Sequence, residues 1–490
     1  MFLYLEGVNL YATLYDTEDL STIRGGSMAL EDLARAAQAT LGGRCCEAGA
    51  SKVMLQFSGP APEDAAVRAF LSAPPYGHFT ITWGTGKNDM DARKAARARQ
   101  FTQLATVALP EVIQGARPCA IDHTRPGTIR DFDADNNERF LCASVAARRE
   151  IGRKRRPQLF RKRQLQPPQS FEDIAPNDEP GLKPNVRGKI AVIVADGMGG
   201  GDLEKAYQGD KEGAFSAAMA AFRARLADRI ETWTIETGLI YADSAGVSHA
   251  RVDVLVWGGD DMTFVVPAAQ ALGFLAAIAE VLDAPFDAAK GPARFGHRIG
   301  CVIAQRKTPI RLLKKLAGSA EAELRAAITP EMKVTGVSVV SIDVFESAPL
   351  PFASILDYRR KIYGSDYRTG SDAVLLSKVA AMADALRVFD DDERAILKLS
   401  QVYRLLDVAR LNKLSLCDAA TNSAIAAEMK NHFERVKGDP PDMTEWETGW
   451  SGQAPRGLAL VLAQVAQLQA YAQPFTDDRA CAFVGAEAVQ

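Results

Sequence analysis

Hydrophobic and polar positions in the N-terminal part of the chain alternate in patterns that predict strands and helices in turn. Strand-like runs are "FLYLEGVNLYATL" (Phe2–Leu14), "SKVMLQF" and "HFTITWG". Between and after them lie three helical patterns, "STIRGGSMALEDLARAAQATL", "EDAAVRAFLSA" and "DARKAARARQFTQLATVAL". These patterns predict a first α/β domain over residues 1–115.

The clearest pattern begins at Lys189 with "KIAVIVAD", which predicts a buried strand that ends at Asp196. "GMGGGDL" and a helix from about Leu203 to Asp228 follow, and then the hairpin "VDVLVWGGDDMTFVVP". After the hairpin come a helix "AAQALGFLAAIAEVL", a strand "RIGCVIA", a helix "PIRLLKKLAGSAEAELRAA" and a strand "GVSVVSIDVF". This order of elements predicts a ferredoxin-like core with additions.

Two further regions complete the predicted organisation. Residues 116–183 form an irregular segment that ends in "QLQPPQSFEDIAPNDEPGLKP", a Pro-rich and acidic linker. Residues 184–350 hold the second α/β domain, and residues 351–490 show helical patterns without clear strands. The predicted fold class is α+β, with two ferredoxin-like domains and a helical C-terminal domain.

Composition is typical of a globular protein in the cytoplasm. The chain has 490 residues, 47% of them hydrophobic and 24% charged, with a net charge of −3. No apolar run approaches the roughly 20 residues that span a bilayer, and the N-terminus lacks the basic region of a signal peptide. Seven cysteines without a CxxC pair make a disulfide framework unexpected.

Charge is uneven at one place. Between Arg148 and Arg163, nine of sixteen residues are Lys or Arg, and only Glu150 is acidic. Such a run is a candidate contact for nucleic acid or phosphate. A solvated linker is the alternative interpretation.

The hairpin carries two adjacent acids at its tip, Asp260 and Asp261. A solvent-exposed turn needs at most one such residue, and two neighbouring carboxylates repel each other unless a cation neutralises them. In a ferredoxin-like core the first strand lies beside the hairpin, so Asp196 is expected to approach both acids. Three carboxylates with open positions suit Mg²⁺ or Mn²⁺ shared with substrate phosphates. Two such ions activate a 3′-hydroxyl and stabilise the leaving pyrophosphate.

Glycines surround these acids. Gly258 and Gly259 allow the backbone to approach a nucleotide closely, and Gly197 leaves a carbonyl and a loop available for phosphate. Gly199 and Gly200 precede a predicted helix, whose first amide groups suit triphosphate oxygens.

Other candidate residues have weaker support. Lys205, Arg306 and Lys307 are candidates for triphosphate contacts, with helix or loop solubility as the alternative. His249 and His297 lie in polar, loop-like surroundings and are expected at the surface rather than in catalysis.

"IAVIVADGMGGGDL" and "WGGDDMTFVVP" together resemble the palm of the type III CRISPR polymerase-cyclase large subunit, the Cas ten family. That palm is related to the GGDEF diguanylate cyclases and to class III nucleotidyl cyclases. "IGCVIAQRKTPIRLLKKLAGSAEAEL" is similar to the strand and helix after the family's hairpin. "LYDTEDLSTIRGGS" resembles the entry to its first, degenerate palm, and "GARPCAIDHTRPG" with "LCASVAARREIGRKRRPQLF" resembles its intervening, sometimes zinc-binding, segment.

The resemblance implies a role for each matching residue. Asp196, the Gly197 backbone, Asp260 and Asp261 fall on the family's metal-binding positions, and Ser27 in "GGS" on a base or ribose contact. In the family, two ATP molecules between the two palms are joined into cyclic oligoadenylates, and only the second palm is catalytic. This chain has "GASKVMLQF" where its first palm would carry the acids.

Departures from the family also matter. The sequence has no His-Asp dipeptide, so cleavage of DNA by an HD nuclease domain is not expected. Cys119, His123 and Cys142 supply only three zinc ligands where a structural site takes four, and buried free thiols are the preferred interpretation. The turn Asp-Asp-Met disfavours a diguanylate cyclase.

The predicted function is a Mg²⁺- or Mn²⁺-dependent nucleotidyltransferase that converts ATP into cyclic oligoadenylates. Its expected partners are guide RNA and the smaller subunits of a type III CRISPR complex, with no membrane and no disulfide partner. One alternative is a free-standing cyclase or oligonucleotide synthase in another defence system. The other is a non-enzymatic scaffold that binds RNA.

Overall fold

A computed structural model describes the following residues: 1–49, 51–103, 117–133, 137–154, 160, 165–178, 182–200, 203, 207, 214–258, 260–288, 291–345, 354–365, 367–370, 372–386, 402, 404, 406, 419–436 and 458–471. The chain divides into two compact units: residues 1–158 with 207–221 and 254–263, and residues 159–206 with 222–253 and 264–490. The three predicted domain boundaries remain predictions.

The first α/β domain has a four-stranded antiparallel sheet. Its strands are β1 (Phe2–Gly7), β2 (Arg44–Ala48), β3 (Lys52–Gln56) and β4 (Ile81–Gly86). Its helices are α1 (Leu10–Leu14), α2 (Leu20–Glu31), α3 (Leu33–Leu41), α4 (Asp64–Ser72) and α5 (Asp89–Gln103). The strand order is β2-β3-β1-β4, and every neighbouring pair is antiparallel. The predicted ferredoxin-like arrangement is therefore confirmed.

One predicted strand is shorter than expected. The run from Phe2 to Leu14 forms a strand only as far as Gly7, and α1 follows. Asn9 takes a left-handed backbone conformation with φ 51°, which ends the extended segment. The alternation of apolar residues in "VNLYATL" therefore belongs to a turn and a helix.

The intervening segment contains two small hairpins and two helices. Its strands are β5 (Arg117–Pro118), β6 (Pro126–Gly127), β7 (Ile129–Phe132) and β8 (Glu138–Leu141), and its helices are α6 (Ala143–Lys154) and α7 (Phe171–Ile174). Strands β5 and β6 pair with each other, as do β7 and β8.

Helices α2 and α6 pack backbone against backbone. A Cβ added at Gly25 would lie 1.7 Å from the Arg148 carbonyl oxygen, and one at Gly152 would lie 1.9 Å from that of Ser21. Arg24 donates a hydrogen bond of 2.9 Å from Nη1 to the Gly152 carbonyl. Only glycine permits this approach of two helices.

The Gly25→Ala variant should therefore lose about 2 kcal/mol of unfolding free energy, because the added methyl group forces the helices apart. Gly318→Ala is the matched control, since nothing lies within 4 Å of its added Cβ. That control should gain about 0.5–1 kcal/mol. Urea unfolding of both variants provides the comparison, and equal stability would contradict the packing described for α2 and α6.

The second α/β domain has a six-stranded sheet. Its strands are β9 (Lys189–Gly197), β12 (Asp253–Gly258), β13 (Asp261–Pro267), β16 (His297–Gln305), β17 (Val339–Val344) and β18 (Val374–Leu375). Two separate hairpins are formed by β10 (Ile240–Ala242) with β11 (Ser248–Ala250), and by β14 (Phe286–Ala288) with β15 (Gly291–Ala293). The sheet order is β12-β13-β9-β16-β17-β18. Its first four strands repeat the order of the N-terminal sheet, which confirms a second ferredoxin-like core.

Helices complete this part of the chain. They are α8 (Ala214–Glu236), α9 (Ala271–Leu282), α10 (Ile310–Glu323), α11 (Pro330–Thr335), α12 (Ile355–Tyr363), α13 (Val379–Leu386), α14 (Ala419–Val436) and α15 (Leu458–Leu468). Short 3₁₀ helices are Ala268–Gln270, Leu324–Ala327, Leu376–Lys378 and Gln469–Tyr471. Within the described part of the chain, no helix combines the length and apolar character needed to cross a membrane.

Two predictions for this region were wrong. The helix expected to end at Asp228 continues to Glu236, because Ile230 and Trp233 extend its buried face in "ETWTIE". The C-terminal region expected to lack strands contributes β18, which pairs antiparallel with β17. A two-residue strand leaves too short a pattern to recognise in a sequence.

Candidate functional site

The predicted hairpin acids lie where two strands meet. Strand β12 ends at Gly258 and β13 begins at Asp261, while Gly259 lies outside the described residues. Asp261 is exposed and Asp260 is half-buried in the turn. Burial and the negative charge of Asp261 raise the pKa of the Asp260 carboxyl above its ordinary value, although the positive charge of Lys52 acts in the opposite direction. The ionised pair is therefore unfavourable without a nearby cation.

Ser27 supports the same hairpin. It lies buried on α2, and its Oγ accepts a hydrogen bond of 3.1 Å from the backbone amide of Trp257. Trp257 directly precedes Gly258. Helix α2 therefore holds the end of β12, immediately before the turn that contains the two acids. Asp19 caps this helix by accepting a 2.8 Å hydrogen bond from the Thr22 amide. The proposed base or ribose contact of Ser27 stays a prediction.

The Ser27→Ala variant tests this support. Loss of the hydroxyl leaves the half-buried Trp257 amide without this acceptor, which should cost about 1 kcal/mol of stability. Hydrogen exchange at the Trp257 amide should accelerate by about fivefold, the rate change that corresponds to that energy. An unchanged exchange rate would show that Ser27 does not hold the hairpin.

Asp196 lies in the other compact unit, near the end of β9. Its partner in the antiparallel register with β16 is Arg298, whose guanidinium forms an ion pair with the Asp196 carboxylate. Arg298 also donates from Nε to Oε1 of Glu321 on α10 at 2.5 Å. The side chain of Arg298 is only 12% exposed, so Glu321 and Asp196 hold it in place. The contact with Arg298 uses Oδ2 of Asp196.

The glycines after Asp196 form the turn that leaves β9. Gly197 pairs with His297 in the register between β9 and β16. Gly199 is exposed and has φ 81°, a conformation that favours glycine. Gly200 follows, and residues 201–202 lie outside the description. The helix N-terminus predicted to meet triphosphate after these glycines also lies largely outside the described residues.

The first two arginines of the basic run are used inside the protein. Arg148 is fully buried, donates to the Thr13 carbonyl at 2.9 Å and pairs with Asp16 at 3.1 Å. Arg149 pairs with Asp19 at 3.4 Å and with Asp131 at 3.0 Å. Lys154 is exposed and pairs with Glu150, and the arginines at 155, 156, 161 and 163 lie outside the described residues. A nucleic-acid contact through the rest of the run stays a prediction.

The expectation that His249 and His297 lie at the surface was wrong. His297 is fully buried, stacks on Phe222 at 5.9 Å between ring centroids and meets the edge of Phe295 at 4.9 Å. Burial lowers the pKa of His297 to about 3, so its ring is neutral. The His249 ring nitrogens lie 3.0 Å from the Pro167 carbonyl and 3.0 Å from Asp243. Both rings serve the packing of their strands.

The cationic triphosphate candidates do not form one cluster in the described residues. Arg306 donates to the Ala175 carbonyl at 2.6 Å and to the Asn177 side chain at 2.8 Å. Arg306 therefore holds the loop that contains Ala175 and Asn177. Lys307 is exposed on the turn after β16, and Lys205 lies outside the described residues.

The predicted zinc candidates are only partly brought together. Cys119 and Cys142 are buried neighbours, but His123 is exposed with φ 56° and takes no part in their cluster. His78 and Asp122 lie there instead. Both cysteines are buried thiols without a disulfide, which is the interpretation that the sequence favours, and His123 lies outside their cluster.

The fold and these residues define a class of protein: tandem ferredoxin-like palms, of which the second carries an acidic hairpin. No protein-family model matches the chain, and no curated protein matches it. Solved structures do. One is the crystal structure of a Csm1-Csm4 cassette in complex with one ATP. The match covers 96% of this chain and 70% of the matched chain, with 13% sequence identity and a TM-score of 0.50.

Two other solved structures are similar. The match to Csm1 in T. onnurineus covers 96% of this chain and 69% of the matched chain, with 13% sequence identity and a TM-score of 0.49. The match to a Csm1-Csm4 cassette in complex with cA4 covers 96% of this chain and 70% of the matched chain, with 12% sequence identity and a TM-score of 0.47. The ATP-bound cassette shows that this chain has the Csm1 fold, and the predicted resemblance to the type III CRISPR large subunit is confirmed at the level of the fold.

Proposed function

We propose that this chain is a metal-dependent nucleotidyltransferase that joins ATP molecules into cyclic oligoadenylates and releases pyrophosphate. The observation that carries the proposal is the half-buried Asp260 beside Asp261, with the pKa of Asp260 raised by burial and by its neighbour. A fold keeps such a pair at a strand end at a cost in stability, which a bound cation removes. The likeness of the fold to a cassette crystallised with ATP supports the choice of nucleotide.

Asp260, Asp261 and Asp196 are the residues that would hold Mg²⁺ or Mn²⁺, with the Gly197 backbone carbonyl beside Asp196. Hard oxygen donors of this kind fit those ions, which share their remaining positions with phosphates. When bound, the metal supplies a lowered pKa for the attacking 3′-hydroxyl and charge stabilisation for the leaving pyrophosphate.

The chain's own residues position these groups. Ser27 fixes the hairpin backbone at Trp257, and Arg298 holds the Asp196 carboxylate in one orientation. Gly258 and Gly259 let the nucleotide approach the backbone, and Gly199 and Gly200 leave amide groups available for the triphosphate. Preorganised positions of this kind reduce the reorganisation that the reaction requires.

We further propose that the protein acts as the large subunit of an RNA-guided type III CRISPR complex, with guide RNA and smaller subunits as partners. The remainder of the basic run is the expected RNA or partner contact. A free-standing synthase differs in one respect, since it needs no guide RNA.

A product assay tests the function and separates these readings. Purified protein receives each of the four nucleoside triphosphates with Mg²⁺ or Mn²⁺, with and without partner subunits, guide and target RNA, and mass spectrometry identifies the products. Cyclic oligoadenylates formed only in the RNA-bound complex support the proposal. Products from the isolated chain indicate the free-standing synthase. If the assembled, target-bound complex forms no product, the nucleotidyltransferase proposal is refuted and the non-enzymatic scaffold is supported.

A further inference from the structure

A positive charge from the first palm acts on the acidic hairpin of the second. Residues 254–263, which include the hairpin, belong to the same compact unit as the first four-stranded sheet. Within this unit, Ser27 on α2 accepts the hydrogen bond from the Trp257 amide. Lys52 is the first residue of β3, and its positive charge acts on the Asp260 carboxyl. The first palm therefore supplies a lysine to the two acids, in addition to its support of the hairpin backbone.

Lys52 takes the place in the first palm that Asp261 takes in the second. The strand orders β2-β3-β1-β4 and β12-β13-β9-β16 make β3 the equivalent of β13. Lys52 begins β3, and Asp261 begins β13. The first hairpin thus carries a cation where the second carries a candidate metal ligand. Loss of a metal site requires only the loss of its acid, so the opposite charge at this position needs a separate explanation.

The backbone of Lys52 is fixed, while the residue is open to solvent. The Gly49 amide donates to the Lys52 carbonyl at 2.7 Å, which closes the turn between β2 and β3. Glu6 on β1 is the register partner of Lys52. Lys52 is exposed, and no carboxylate of the described residues forms an ion pair with its ammonium group. A cation on a fixed strand end, without an ion-pair partner in the described part of the chain, is available to an anionic ligand.

The charges at the hairpin require a further cation once a nucleotide binds. Asp260, Asp261 and a nucleoside triphosphate together carry about six negative charges, whereas two divalent ions supply about four positive charges. Arg306, one of the cations considered for the triphosphate, is engaged by a loop instead. A lysine binds phosphate as a point charge, and Lys52 is a lysine whose charge already acts at this hairpin.

We propose that Lys52 is a nucleotide-binding residue whose ammonium group contacts the triphosphate of a nucleotide bound at the hairpin acids. This inference rests on the proposed nucleotidyltransferase function, and it adds a residue of the first palm to that site. An ammonium group donates hydrogen bonds to phosphate oxygens and does not distinguish between bases. The affinity for a triphosphate should therefore depend on Lys52, and the affinity for the corresponding nucleoside should not.

Equilibrium dialysis with two unreactive ligands tests this inference. 3′-Deoxy-ATP and 3′-deoxyadenosine both lack the 3′-hydroxyl that the reaction requires, so each binds without turnover. With Mn²⁺ present, the Lys52→Met variant of the assembled, target-bound complex should bind 3′-deoxy-ATP at least about tenfold more weakly than the wild type, because it lacks one hydrogen bond between charged groups. Its affinity for 3′-deoxyadenosine should be unchanged. Lys52→Arg keeps the charge and should retain the affinity for 3′-deoxy-ATP. Lys94→Met, an exposed lysine on α5, is the matched control and should also retain it.

The outcomes separate this inference from the proposed function. If Lys52→Met binds 3′-deoxy-ATP as tightly as the wild type does, the role of Lys52 is overturned and the proposed function stands. If the variant loses affinity for both ligands equally, Lys52 acts through the acids or the fold rather than through phosphate, which also overturns the inference. A wild type that binds no 3′-deoxy-ATP would overturn both proposals. Because Lys52 is exposed, the variant should melt as the wild type does, and Lys52→Gln provides a second neutral variant.

Discussion

Replacement of Asp260 and Asp261 together by Asn should lower cyclic oligoadenylate synthesis at least about a thousandfold, which corresponds to about 4 kcal/mol of transition-state stabilisation. Amide side chains keep the size and hydrogen-bonding capacity of the turn but carry no charge to hold a divalent cation. Product is measured by mass spectrometry in the fully assembled, target-bound complex. Asp89→Asn, an exposed acid in the first turn of α5, is the control and should retain full synthesis.

Loss of activity in this variant should not come from loss of folding. The pKa of Asp260 is higher in the folded chain than in the unfolded chain. The protonated carboxyl therefore stabilises the folded state at pH values below its unfolded pKa. This stabilisation is lost as the pH rises through the folded pKa. At neutral pH the ionised carboxylate therefore weakens the fold, and Asn does not. In metal-free buffer the variant should melt no lower than the wild type. A lower melting temperature with loss of product would contradict the metal-binding role.

Replacement of Arg359 by Met should have the largest effect on stability, a loss of about 3–5 kcal/mol of unfolding free energy. Arg359 is 1% exposed and lies between two buried carboxylates. Its Nε donates to Oδ1 of Asp343 at 3.0 Å, and its Nη2 lies 3.0 Å from Oδ2 of Asp372. Removal of the guanidinium leaves both negative charges buried together. Arg360→Met, on the exposed side of the same helix, should change stability by less than about 0.5 kcal/mol.

The defect in Arg359→Met should depend on pH. Burial raises the pKa of Asp343, while Arg359, Ser341 and Tyr367 keep the pKa of Asp372 below its ordinary value despite burial. Without Arg359 the pKa of each carboxyl rises, so protonation relieves the buried charge as the pH falls. Urea unfolding between about pH 7 and pH 5 should show the difference from wild type becoming smaller. A difference that grows toward low pH, or none at pH 7, would contradict the role of Arg359 as counter-ion.

Much of the fold was predictable because it follows from local patterns. The buried strand "KIAVIVAD" and the glycine-acid hairpin identify three strands of the second palm, and the order of the elements then predicts a ferredoxin-like core. The conversion of Leu10–Leu14 from strand to helix was not predictable, since the same apolar residues suit either structure. A left-handed Asn9 decides between them.

The partners of buried charged and polar side chains could not be predicted. Arg148 and Asp16 are 132 residues apart, and the arginine reads in sequence as part of a solvated basic run. His78 precedes the cysteine-containing segment, so no spacing along the chain places its ring beside Asp122 and Cys142. His297 appears polar in sequence, yet aromatic rings from other elements surround it. Each case depends on tertiary contacts that leave no periodic signal.

A titration with Mn²⁺, followed by electron paramagnetic resonance in the presence of ATP, tests the central claim most directly. The assembled wild-type complex should bind two Mn²⁺ ions per large subunit in a manner that depends on ATP, since two ions serve phosphoryl chemistry of this kind. The variant with Asn at positions 260 and 261 should lose this ATP-dependent binding. Equal Mn²⁺ binding by wild type and variant would contradict the assignment of these carboxylates to the metal site.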